Sequence, residues 1–261
     1  MEQEHGVAWQ VQRAIGRIEL RAPERANSLA TPAAHALARA IDRVLAAKPK
    51  VVVVTARGAV FCAGGDIREF AQAGDRFDAL VDGILDPLHP AVARLASSPA
   101  IVVSVVSGGL GGAGVGLALC ADFVLAAASM KLRTGFAALG LSPDTGTSWF
   151  LTRRIGAVRA KQWLLLSDTI DAETCLRCGA VDAAYPDDLL AREAEALVHR
   201  LAQGSRDSMA SIKALCDRAE RSELAAQLTD EHARLRDCTR TADAREGVAA
   251  FLARRPPRFA D

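Results

Sequence analysis

Two short runs of β-branched residues, Val51-Val52-Val53-Val54-Thr55 and Ile101-Val102-Val103-Ser104-Val105-Val106, constrain the fold more than any other feature of the chain. Each is long enough for one strand and lacks the polar alternation of a strand with one wet face. Such runs belong to strands buried on both sides, the habit of parallel sheets covered by helices. A third run, Phe123 to Ala127, follows Asp122. Ahead of them, Thr31 to Ala47 opens with Thr-Pro, an N-cap followed by Pro at the first helical position. It carries Leu37, Ile41, Val44 and Leu45 on one stripe, so it predicts an amphipathic helix. Val7 to Leu20 alternates as a strand pair, with a turn expected at Ile15-Gly16-Arg17 and a loop over Arg21 to Ser28. Strands interleaved with helices mean an α/β core. From about Leu189 the pattern is helical only, over Leu190 to Leu201, Ser208 to Cys216 and Leu224 to Leu235. The expected division is therefore a core over residues 1–188 and a helical segment over 189–261. The tail places Phe251 and Phe259 among Arg254, Arg255 and Arg258, which suits either packing on a partner with phosphate contact or a solvated basic end.

Charge and composition remove several classes of function. The formal net charge is +1 over 261 residues and no block of like charge stands out, so neither nucleic acid nor a membrane surface is an expected partner. Met1 to Gly6 is acidic and polar, without the basic flank and apolar stretch of a signal peptide, and no apolar run approaches ~18 residues. A cytoplasmic protein is the expectation. Of six Cys, only Cys175 and Cys178 form a CxxC, inside a predicted helix ahead of Gly179 and without further ligands nearby, so no metal site is expected.

Chemistry is legible at two glycine-bearing turns, each directly after a buried strand. In Gly58-Ala59-Val60-Phe61-Cys62-Ala63-Gly64-Gly65-Asp66, small residues let a ligand approach the main chain, and the Gly pair can turn an N–H into a cavity; an ordinary turn would look the same. In Ser107-Gly108-Gly109-Leu110-Gly111-Gly112-Ala113-Gly114 the turn leads into an apolar helix, Val115 to Ala121. Gly109, Gly111 and Gly114 fit G-x-G-x-x-G, but a dinucleotide site needs an acidic residue at the end of the next strand, about twenty positions on. That strand ends in Ala-Ala-Ala-Ser, and Asp122 precedes it.

These two turns, in this order and about fifty residues apart, resemble the enoyl-CoA hydratase/isomerase (crotonase) superfamily. Pro23-Glu24-Arg25-Ala26-Asn27-Ser28-Leu29 looks like the family's N-terminal acyl-CoA loop, Ala63-Gly64-Gly65-Asp66-Ile67 matches A-G-x-D-[IL], and Glu246 to Phe251 with Arg255 to Phe259 resembles its C-terminal signature. The resemblance spans nearly the whole chain. It implies a crotonase-like spiral of repeated ββα units, a homotrimer or homohexamer assembled through 189–261, and an acyl-CoA thioester as substrate, with no cofactor beyond the coenzyme A that the substrate carries. It also implies oxyanion donors at the backbone N–H of Gly65 and Ala113. Arg25, Ala26, Ala63, Asp66, Ile67, Gly112, Phe136 and Phe251 would contact substrate, with Arg25 near the CoA phosphates.

One departure from the family pattern bears on the reaction. The two glutamates of its hydratases correspond here to Gly116 and Phe136, which argues against ordinary hydration, because water addition uses one carboxylate as base and another as acid. Asp144, in Gly140-Leu141-Ser142-Pro143-Asp144-Thr145-Gly146-Thr147-Ser148, is either an N-cap for the apolar stretch Trp149-Phe150-Leu151 or the acid/base. Its place resembles that of the aspartate of dienoyl-CoA isomerases and of ring-epoxide isomerases acting on phenylacetyl-CoA derivatives. Isomerisation is the expected reaction, with a hydratase next and a non-catalytic acyl-CoA binder as the alternative of another class. Leu88-His89-Pro90 reads as a helix start, with His89 packed or at the surface. A His here together with Asp144 also resembles the 4-chlorobenzoyl-CoA dehalogenase branch, where the His activates water.

Overall fold

The structure is a computed structural model that describes residues 1–260. Three antiparallel strands open the chain, β1 (Glu2–Glu4), β2 (Val7–Gln12) and β3 (Ile15–Leu20). The register pairs Gln12 with Ile15, so the turn falls at Arg13-Ala14 and not at Ile15-Gly16-Arg17. Gly16 lies inside β3, where a Cβ would come within 2.4 Å of Val44 Cγ1. It marks the close approach of a helix to the strand and not a reversal of the chain. That helix, α1 (Thr31–Ala46), buries Leu37, Ile41 and Val44 as its periodicity predicts. Its N-cap is Ala30 and not Thr31, whose N–H and hydroxyl both donate to the Glu69 carboxylate at 2.9 Å.

From there a unit repeats. Strand β4 (Val51–Ala56) is followed by β5 (Val60–Cys62) and helices α2 (Ile67–Ala73) and α3 (Phe77–Ser97). Next come β6 (Ile101–Val106), β7 (Gly109–Gly111) and α4 (Ala113–Leu119), then β8 (Phe123–Ala127), β9 (Lys131–Arg133), α5 (Thr147–Ile155) and α6 (Ala157–Leu166). In each unit the first strand joins a seven-stranded sheet of order β1-β2-β3-β4-β6-β8-β11 and the second a four-stranded sheet of order β10-β9-β7-β5. Strand β10 (Ile170–Asp171), helix α7 (Ala172–Cys178) and strand β11 (Ala183–Tyr185) finish both sheets. The pairs β3–β4, β4–β6, β6–β8, β8–β11, β5–β7 and β7–β9 are all parallel. The result is a spiral of ββα turns.

The sheet accounts for the two runs rich in Val and Ile. Val52, Val54, Val102 and Val106 point into the main core, whereas Val51, Val53 and Val103 point to the other face, where Leu190, Ala194 and Val198 of α8 (Asp187–Ala202) cover them. Helix α8, the first of the 189–261 segment, thus forms one layer of the α/β core. Beyond it, α9 (Arg206–Ala219) docks through one buried cation: Lys213 Nζ donates to Asp122 Oδ2 at 2.8 Å and to the Ala100 carbonyl at 3.0 Å. Removing one partner of such a pair costs about 3–5 kcal/mol. Helices α10 (Leu224–Thr239) and α11 (Ala242–Leu252) leave Leu224, Leu235, Phe251 and Leu252 exposed. The CxxC lies in α7, where burial pushes the Cys175 thiol up to about 12. Among the described residues no helix is long and apolar enough to cross a membrane.

Candidate active site

The small sheet carries both glycine-bearing turns to one end, and main-chain contacts set each of them. After β5 the chain reaches Gly64 at φ +93, where a Cβ would lie 3.0 Å from both Ala113 N and Gly112 Cα. No side chain fits there, and the first turn therefore touches the second directly. The Gly64 N–H donates to Cys62 Sγ at 3.4 Å, and the Gly64 carbonyl accepts the Leu29 N–H at 2.8 Å. The loop before α1 is fastened to this turn. Ala26, at φ +52, accepts the Ala63 N–H at 3.1 Å. Asn27 is buried and donates to the Arg57 and Val60 carbonyls at 2.9 and 2.7 Å while accepting the Ala22 N–H at 2.8 Å.

Asp66 completes the joint. It is the N-cap of α2, taking the N–H groups of Arg68 and Glu69 on Oδ1, while Oδ2 accepts from Arg25 at 2.6 Å and from Ser28 at 3.1 Å. Burial pushes its carboxyl up, but these donors outweigh that and hold it below the usual carboxylate range. In the second turn Gly112, at φ +48, is the N-cap of α4, and its N–H donates to the Arg133 carbonyl at 3.4 Å. A Cβ on Gly114 would lie 2.5 Å from the Cys62 carbonyl oxygen, so α4 begins pressed against the end of β5. Ala113 is the first residue of α4, and the N–H groups of a first helical turn have no intrahelical acceptor. The Gly65 N–H meets no acceptor among the described residues. A Cβ on Gly65 would come within 2.3 Å of Phe70 Cζ, which puts that ring against the bare backbone.

Beside these two N–H groups opens a cavity of about 820 Å³. Of the residues read from the sequence, Ala63, Gly65, Ile67, His89, Gly112, Ala113, Phe136 and Asp144 line it; Arg25, Ala26, Asp66 and Phe251 do not. Arg25 instead holds Asp66 from a half-exposed position, and Phe251 stands 83% exposed on α11. Phe70, Val81, Leu85 and Leu141 give the cavity apolar walls, and cations stand at Lys131 and Arg133.

Asp144 is the one carboxylate lining this cavity among the described residues. The N-cap of α5 is Gly146, so the Asp144 side chain is not a helix cap. Its Oδ1 is buried without a partner, and desolvation raises the carboxyl above its ordinary range. Gly116 has no room for the glutamate of a hydratase: a Cβ there would sit 2.1 Å from the Thr145 carbonyl oxygen. Phe136 is buried. His89 lies in the middle of α3 between Pro87 and Pro90, not at a helix start as Leu88-His89-Pro90 suggests; α3 runs on through both prolines. Its Nε2 accepts the Thr145 N–H at 3.0 Å, so that nitrogen is engaged and not free to activate water. Two N–H donors on residues that line a pocket with one desolvated carboxylate can stabilise an oxyanion, at about 3 kcal/mol per donor, while one base moves a proton.

The sequence reading missed Asn27, Phe70 and the engagement of His89. Asn27 and His89 act through contacts 30 and 56 residues away in the chain, and for Phe70 only the Gly at 65, bare enough for a ring to rest on, was a visible sign.

Over residues 10–261 the chain matches the family model described as enoyl-CoA hydratase/isomerase. It is 36% identical over 252 residues to a protein of Escherichia coli named 1,2-epoxyphenylacetyl-CoA isomerase, covering 95% of this chain and 96% of that one. It is 33% identical over 255 residues to a protein of Rhodobacter capsulatus named "Probable enoyl-CoA hydratase", covering 98% of each. Among solved structures, an enoyl-CoA hydratase from Polaromonas sp. JS666 is similar with a TM-score of 0.90 at 29% identity, covering 97% of this chain and 99% of that chain.

Proposed function

The chain belongs to the enoyl-CoA hydratase/isomerase family, and we propose that within it the protein is an acyl-CoA isomerase in which Asp144 moves a proton between two carbons of the acyl group. The observation that carries the reading is the single carboxylate of the cavity, Asp144, with a desolvated and unpartnered oxygen, in the same cavity that Gly65 and Ala113 line. Ionised Asp144 takes a proton from the carbon α to the thioester carbonyl, or from the γ carbon across an α,β double bond. The electron pair left behind passes to the carbonyl oxygen, where the N–H groups of Gly65 and Ala113 hold the charge. The carboxylic acid then returns the proton to another carbon, and the thioester carbonyl re-forms. One group suffices because the reaction adds nothing and loses nothing. Hydration would need a second carboxylate, and Phe136 and Gly116 stand where the family's hydratases carry theirs.

The E. coli relative's name points to a ring-bearing acyl group as one substrate class to test. With this reading go contacts of Arg25 and of the Phe251 to Arg258 tail with the CoA nucleotide, a homotrimer or homohexamer assembled through the C-terminal helices, a cytoplasmic location, and no cofactor beyond the CoA of the substrate. The test is a panel of crotonyl-, 3-enoyl-, 3,5-dienoyl- and phenylacetyl-derived CoA esters offered to the protein and to Asp144→Asn. Double-bond or ring isomerisation that disappears in the variant, with CoA-ester binding retained, supports the reading. Hydration of crotonyl-CoA that survives the substitution would overturn it, and turnover of none of the esters would favour a binding protein.

A further inference from the structure

We propose that His89 is a positioning residue for Asp144, acting through the peptide group that joins Asp144 to Thr145. The inference rests on Asp144 being the acid/base, and deepens that reading by naming what aims it. The carboxylate has no hydrogen-bond partner on Oδ1, so that oxygen is not held in place by a donor of its own. The backbone that carries it is held instead. Both ends of a single peptide unit are pinned: the Asp144 carbonyl accepts the Thr147 N–H at 2.8 Å, and the Thr145 N–H donates to His89 Nε2 at 3.0 Å.

Thr145 sits at φ +49, a left-handed conformation that a β-branched residue adopts only when its surroundings impose it. Those surroundings are His89 on the N–H side and, on the carbonyl side, the space left by Gly116. Thr145 is only 1% exposed, so water offers little replacement for the imidazole as acceptor. Accepting on Nε2 fixes the imidazole as the neutral tautomer with its proton on Nδ1. Without His89 the peptide would be tied at one end only, free to rotate toward a relaxed conformation, and the Asp144 side chain would swing with it.

The test compares His89→Phe, which keeps a ring and loses the acceptor, with His89→Gln, which keeps an acceptor, on whichever CoA ester of the panel turns over fastest. Expected for His89→Phe is a loss of kcat of roughly ten- to a hundredfold, the scale of a misplaced catalytic group, with KM nearly unchanged. His89→Gln should recover most of it. Hydrogen exchange of the Thr145 amide should speed up in His89→Phe and stay slow in His89→Gln, a readout that needs no substrate. Should His89→Phe not fold, His89→Ala carries the same expectation. Wild-type kcat in His89→Phe, or a His89→Gln as impaired as His89→Phe, overturns the proposal. Asp144→Asn run in parallel separates the two readings: if it is inactive while His89→Phe is unimpaired, positioning alone fails; if it stays active, the assignment of the base fails with it.

Discussion

The turns that offer N–H groups are fixed against each other by main chain, Gly64 on Gly112 and Ala113, with the loop at 26–29 bonded behind them. The loop that carries Asp144 is fixed by one distant side chain, His89, and by the absence of another at Gly116. The difference teaches what each part can tolerate. A donor made of backbone is insensitive to most side-chain changes nearby and sensitive to any atom wedged into the backbone contact. A carboxylate on a strained loop responds to substitutions that never touch it.

The largest effect should come from Asp144→Asn, with kcat lowered about 10²- to 10⁴-fold, the usual contribution of a general base, and CoA-ester affinity retained in a direct binding measurement. Gly64→Val follows. Its side chain would enter the contact with Gly112 and Ala113 at a positive φ, and losing alignment of one donor costs about 10²–10³ in kcat. Gly65→Ala is the sharper partner to it, because the new methyl meets only the far end of the Phe70 ring, which can turn aside; activity should fall much less. If the two variants lose activity equally, the turns do not depend on the backbone contact at Gly64.

Gly116→Ala comes next, at roughly ten- to a hundredfold in kcat with KM nearly unchanged, since its methyl displaces the Thr145 carbonyl and with it Asp144. Unaltered kinetics would show that the loop is not constrained from that side. The smallest effect is on pH. Burial raises the Asp144 carboxyl above the ordinary value of about 3.9, and the proposed reaction uses it ionised, so kcat/KM should fall as pH drops through that raised pKa. The stability sign is the opposite. A carboxylate whose folded pKa lies above its unfolded one penalises the fold above the folded pKa, and the penalty vanishes below the unfolded value. Asp144→Asn should therefore melt higher than the parent at neutral pH, with the gap closing on acidification; a variant that melts lower at neutral pH would contradict the desolvation of Asp144.

Much of the fold is legible in the sequence because burial leaves a pattern. The runs at 51–54 and 101–106 are apolar but for Ser104 since α8 covers one face of the sheet and the main core the other. The misreadings share a cause. Gly16, Thr31 and His89 were read for what they do locally: a Gly as a turn, a Thr before Pro as a cap, a His between prolines as a helix start. Their roles are set instead by Val44, Glu69 and Thr145, at 28, 38 and 56 residues' separation. The site divides in the same way. The glycines of the two turns are visible because strained or crowded backbone excludes other residues. Asp144 looks like any turn aspartate until the family pattern singles it out, and its lack of a capping role emerges only with the geometry.

The occupied space beside Gly116 also bears on how such a site changes over time. A glutamate at 116 is one substitution away on paper, yet its first side-chain carbon would collide with the Thr145 carbonyl oxygen, 2.1 Å distant. The loop would have to move first, and moving it gives up the placement of Asp144 before a second carboxylate is in use. A carboxylate at 116 and the present placement of the Asp144 loop therefore exclude each other: the backbone at 145 has to shift before the first can be accommodated. Changes of substrate, by contrast, are open at Val81, Leu85 and Leu141, whose side chains line the cavity. Substitutions in those walls should therefore alter which acyl group fits while leaving the contact between 116 and 145 intact.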